Sequence, residues 1–159
     1  MTLGIAFACS ALIGPPADAA TATNTFAATI TIQSSCEVVS TSTLDFGVAG
    51  ALVASRDVQT NFAVQCTNAT AFNVGLDAGS TPGGSVATRL MTSGGAVVGY
   101  QLFSNAARTA NWGNAVGTDT VSGAGNGGAL DLTVYGRVPA QPTPAPGIYS
   151  DTVTITITY

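Results

Sequence analysis

Histidine and lysine are absent from this chain, and only four basic side chains are present, all arginine: Arg56, Arg89, Arg108 and Arg137. Charged residues make up 8% of the 159 positions, against about a quarter in ordinary soluble domains. Eight acidic groups leave a formal charge of −4, with no run of either sign. The missing basic stripe excludes binding to a phosphate backbone. Without His or Lys, acid–base catalysis would fall to Tyr, Asp or the lone Glu37. Asp45, Asp77 and Asp151 stand beside expected turns or strand starts, where carboxylates cap backbone N–H groups. Ser and Thr nucleophiles have no base to activate them. The run Gly123-Ala124-Gly125-Asn126-Gly127-Gly128 has neither a following helix nor a lysine, so it reads as a hairpin loop and not a phosphate cradle. The expectation is a non-enzymatic chain with no cofactor and no metal.

Long hydrophobic runs are also missing. The longest, Leu3 to Ile13, is too short to span a bilayer. Gly14-Pro15-Pro16 breaks it, and Ala17-Asp18-Ala19 gives a small-x-small pattern before a cut near Ala20, so residues 1–19 read as an export signal. No Lys or Arg precedes the apolar run, which points to a displaced start or a trimmed sequence. Cys9 would leave with the signal; a lipid-anchored Cys9 is the alternative. Cys36 and Cys66 remain, and an even pair in an exported chain suggests a disulfide. It would close a loop of about thirty residues, worth roughly 3–4 kcal/mol in the chain-entropy view. Two Cys with no His leave too few soft ligands for a metal site.

No stretch of useful length shows an apolar repeat of 3.6 residues; alternation with period two dominates. Phe26, Ala28, Ile30 and Ile32 share one face of the first segment. Leu44 and Phe46 form a short second one. Val58 to Cys66, Phe72 to Leu76, Val98 to Leu102 and Leu130 to Val134 alternate in turn. Val153, Ile155, Ile157 and Tyr159 face one way at the end, with Thr152, Thr154, Thr156 and Thr158 opposite. Short strands separated by Gly, Asn and Pro clusters predict an all-β sandwich of seven or so strands, immunoglobulin-like in character. Two features do not fit a closed sandwich. The first segment precedes the cysteine frame, and the last expected strand leaves its edge uncovered, an aggregation hazard. Pro139 to Pro146 reads as a stiff connection. Trp112, among Asn111, Gly113 and Asn114, is either a packed loop residue or a sugar-stacking surface.

The ordered motifs are Cys36, Leu44-Asp45-Phe46-Gly47, Val64-Gln65-Cys66, Arg89-Leu90-Met91 and Gly99-Tyr100-Gln101-Leu102-Phe103. They continue with Leu132-Thr133-Val134-Tyr135-Gly136-Arg137-Val138-Pro139 and Pro146-Gly147-Ile148-Tyr149-Ser150-Asp151-Thr152-Val153. This series resembles the spore coat protein U domain family, which includes subunits of archaic chaperone–usher pili. The resemblance covers roughly Thr25 to Tyr159. It implies an incomplete immunoglobulin-like fold at residues 34–159, lacking its seventh strand, and an N-terminal donor strand at residues 20–33. A periplasmic chaperone would lend a strand in transit. An outer-membrane usher would then replace it with the N-terminal strand of the next copy or of a related subunit. The implied role is a cell-surface pilus or coat subunit serving adhesion or biofilm formation. Phe26, Ala28, Ile30 and Ile32 are the expected plug, and Val153, Ile155, Ile157 and Tyr159 the expected edge of the receiving groove. A coat or surface-layer protein without strand exchange and a carbohydrate-binding adhesin are the alternatives. An arm that serves as the first strand of its own domain is the plainer reading of residues 26–32.

Overall fold

A computed structural model describes residues 18–159; the expected export signal, Cys9 included, lies outside the described residues apart from Asp18 and Ala19. The chain divides into two units, Met1–Thr31 and Ile32–Tyr159. Within the first, residues 18–31 are exposed and form no strand. Phe26 is 92% and Ile30 84% exposed. The alternation in this stretch supplies the side-chain pattern of a strand, but a strand exists only where its N–H and C=O groups meet a partner.

The second unit is all-β among the described residues, with eight strands. They are β1 (Cys36–Thr41), β2 (Arg56–Cys66), β3 (Ala71–Leu76), β4 (Arg89–Ser93), β5 (Ala96–Phe103), β6 (Val121–Ala124), β7 (Ala129–Val138) and β8 (Ile155–Thr158). One sheet has the order β1-β2-β7-β5-β4 and the other β6-β3-β8. Every pairing is antiparallel. The expected strand at Leu44 to Phe46 is not one: residues 42–51 join no ladder. The last strand is shorter than expected, because Val153 and its neighbours lead into β8 without pairing as strand.

Alternation places the core. Phe62 and Val64 of β2, Val98, Tyr100 and Leu102 of β5, and Val134 and Val138 of β7 face Phe72, Val74 and Leu76 of β3. Phe62 stacks obliquely on Trp112 at 5.7 Å between ring centres. Trp112 is 1% exposed, and its indole N–H donates to the Val74 carbonyl at 2.8 Å. That ring belongs to the core and has no free face for a sugar. Cys36 and Cys66 sit opposite each other in the β1–β2 register and are disulfide-bonded.

One charged side chain enters this core. Arg89, fully buried, spends its guanidinium on four backbone carbonyls. Its Nε donates to Asp77 O at 2.6 Å, one terminal nitrogen to Val86 O at 2.9 Å, and the other to Leu76 O and Trp112 O at 2.9 and 2.8 Å. A planar fork with five donors suits this role, whereas a lysine would reach too few acceptors.

Candidate functional site

β1 and β8 are terminal strands of their respective sheets, and they approach each other. Beside them an apolar groove of about 1030 Å³ opens between the layers. Its floor is the inner face of the large sheet: Phe62 from β2, Val98, Tyr100 and Leu102 from β5, and Val134 and Val138 from β7. Leu76 of β3 and Ile155 of β8 contribute from the small sheet. The lining continues with Thr41 at the end of β1, Arg56 and Thr60 of β2, Met91 of β4, and two segments outside the strands, residues 42–52 and 143–153. These meet where Leu52 N donates to Thr143 Oγ1 at 2.8 Å and Gln141 N donates to Leu52 O at 2.9 Å.

Apolar side chains in this lining lack full cover. Val48 is 95% and Ile148 89% exposed, one from each segment. Exposed apolar side chains at the rim of an apolar groove leave surface that a further molecule could cover. The terminal position of β8 adds a second feature, since an edge strand presents backbone donors and acceptors for pairing.

The segment leading into β8 is fastened by carboxylates. Asp151 Oδ1 accepts from the backbone N–H and hydroxyl groups of Ser80 and Thr81 at 2.9 to 3.1 Å. Asp77 Oδ1 accepts from Gly79 N at 3.0 Å and Thr154 N at 2.9 Å. Burial opposes ionisation of Asp151, but bonds from Tyr100, Ser80 and backbone N–H groups outweigh it and hold the carboxyl below the usual range. Burial first, then the Asp151 bond, pushes the Tyr100 phenol far above its ordinary value, so it stays a donor at any working pH.

Of the residues expected at the groove edge, Val153 and Ile155 line it. Ile157 is half-buried opposite Val74 in the β3–β8 ladder, and Tyr159 is exposed beyond the strand end. Of the expected plug residues, Phe26, Ala28, Ile30 and Ile32 are all exposed. Leu44 and Phe46 also line the groove, although sequence reasoning placed them in a strand of their own. Among the described residues, no three of Cys, Asp and Glu gather into a metal site.

Residues 22–156 match the Spore Coat Protein U domain. The chain belongs to that family. Its fold is shared with a crystal structure of the CsuC–CsuE chaperone–tip adhesion subunit pre-assembly complex, from archaic chaperone–usher Csu pili of Acinetobacter baumannii. The likeness has a TM-score of 0.56 and 23% identity, and covers 81% of this chain. This spore coat U chain spans 40% of the matched chain there. No curated protein sequence matches it.

Proposed function

We propose that this chain is a non-enzymatic structural subunit of a surface fibre, exported through a periplasm and joined to its neighbours by strand donation. Residues 20–33 of one copy would enter the groove of the next. The observation that carries this reading is the apolar groove beside the terminal strand β8, found in a chain whose N-terminal stretch holds exposed Phe26 and Ile30 in alternation. Strand addition uses both parts of such a site: backbone groups at the edge give affinity, and pockets for alternate side chains give register. Seven residues from Phe26 to Ile32 extend about 23 Å as a strand. Burying the Phe and two Ile side chains contributes at most ~5–8 kcal/mol.

Family membership and the chaperone–subunit complex of the structural neighbour support the partners: a periplasmic chaperone during transit, an outer-membrane usher, and further copies. A head-to-tail contact does not close on itself, so it propagates as a filament. The test is deletion of residues 21–32. The shortened subunit should accumulate bound to chaperone while fibres vanish from electron micrographs. Normal fibres from that deletion would overturn the proposal.

A further inference from the structure

Resting on the strand-donation reading, we propose that residues 42–51 are the gate of the groove, a strap that closes over the empty site and swings out to admit the arm of a second copy.

The strap is anchored at its ends and lightly held between them. At one end Thr41 pairs with Phe62 at the close of the β1–β2 ladder. At the other, Leu52 is bonded to Thr143 and Gln141. Between these points, among the described residues, the strap's backbone takes one bond from the rest of the domain, Arg56 Nε to Phe46 O at 3.1 Å. Its one internal bond is a local turn, Gly47 N to Asp45 Oδ1 at 2.7 Å. A wall built as a strand would have a bond at every second residue. A segment with few backbone bonds and high exposure opens at low cost compared with the ladders beside it.

What closes the strap is a pair of side chains. Leu44 and Phe46 are half-buried and lie over Gly136 of β7. A Cβ at position 136 would stand 2.7 Å from Leu44 Cδ2 and 3.0 Å from Phe46 Cζ, so the missing side chain is the seat on which both rest. Phe46 also meets the Tyr100 ring edge-on at 6.0 Å between centres. Both residues lie in the groove lining, and an incoming strand needs that same apolar floor. Gly47, at φ +70°, lets the chain turn straight back to solvent, where Val48 is exposed. Gly50 has open space around its Cα, which leaves the strap room to pivot.

The experiment measures association of a labelled peptide of residues 24–33 with the full chain. A gate makes opening part of the association step. Phe46→Ala removes the aromatic contact that closes the strap, and association should speed up by about tenfold. Gly136→Ala attacks the same contact from the sheet side and should act in the same direction, while Val116→Ala, exposed and outside the groove lining, should leave the rate unchanged. If Phe46 is a fixed wall, Phe46→Ala will raise the dissociation rate and leave association unchanged, which overturns the gate but not strand donation. Failure of the wild-type chain to take up the peptide overturns both. Hydrogen exchange on the wild-type chain gives a reading that needs no variant to fold. Amides of residues 43–50 should exchange faster than those of β2 and β7, and equal protection would overturn the gate.

Discussion

The hydroxyl of Tyr100 donates to Asp151 Oδ2 at 2.8 Å, tying the floor of the groove to the segment that leads into β8. The other oxygen of the same carboxylate takes all four bonds from Ser80 and Thr81. One side chain therefore fastens three pieces of chain: β5, the loop after β3, and residues 150–152. Gly79, at φ +84°, belongs to this arrangement, because a Cβ there would run into the Asp151 carboxylate. The position of Val153 and Ile155 along the groove follows from this attachment and from the Asp77 bond to Thr154.

Replacing Asp151 by Asn should therefore loosen the edge of the groove. An amide offers one acceptor oxygen and an NH2 group with two donors, so either Tyr100 or the Ser80–Thr81 set would face another donor. The expected loss is about 2–3 kcal/mol in urea denaturation, with about 1 kcal/mol for Tyr100→Phe. Because the two share one bond, the double variant should lose less than the sum. A fully additive pair would show that the bond contributes nothing.

Acid should act on the same carboxylates. The Arg137 bond holds the Asp57 carboxyl below its usual value, despite some burial. At Asp77, burial opposes ionisation, and the bonds from Thr154 and Gly79 prevail. With Asp151, three carboxyls thus sit below the ordinary value of 3.8 in the folded chain. A group whose folded value is depressed stabilises the fold above its unfolded value, and that stability is lost as pH falls through the folded one. Calorimetry should show a Tm that is level from about pH 7 to 5 and declines below about 4. The chain has no histidine to add a step near neutrality. Asp77→Asn combined with Asp151→Asn should flatten the acid decline; an unchanged slope would remove these two groups as its cause.

Arg89→Lys tests the buried fork. An ammonium cannot span the four carbonyls of Leu76, Asp77, Val86 and Trp112, and those left behind stay buried without a donor. The expected cost is about 2–4 kcal/mol, visible as a lowered urea midpoint with an unchanged slope. A loss below about 0.5 kcal/mol, typical of surface changes, would mean that the carbonyls find other partners.

The strands that alternate cleanly were legible in the chain: β2, β3, β5 and β7 lie where Val58 to Cys66, Phe72 to Leu76, Val98 to Leu102 and Leu130 to Val134 predict them. β4 was missed because Arg89-Leu90-Met91 breaks the alternation with an arginine that faces inward. The Gly94-Gly95 pair, both at positive φ, was the available signal for its tight hairpin with β5. β6, Val-Ser-Gly-Ala, has no apolar face to read, since Gly123 lies against the Phe72 ring and any Cβ would overlap it. Leu44 and Phe46 alternate like a strand, yet their segment pairs with nothing; local pattern carries no information about partners. The disulfide pair was readable from count and context, whereas the Asp151 and Arg89 networks depend on loops brought together only by the fold.

The strand-donation proposal depends on which face of the arm turns inward, and two neighbouring residues decide it. Alternation puts Ile30 with Phe26, Ala28 and Ile32, and Thr29 on the other side. Ile30→Asp would forfeit about 2–3 kcal/mol of apolar burial and force a carboxylate into an apolar groove with no partner, a further cost of several kcal/mol. Thr29→Asp leaves its carboxylate in water. Fibre yield, scored by sedimentation and electron microscopy, should collapse for the first and stay near normal for the second. Equal yields would mean that the apolar face of the arm is not what the groove takes, because a strand buried on one face cannot tolerate a charge there and ignore which side carries it.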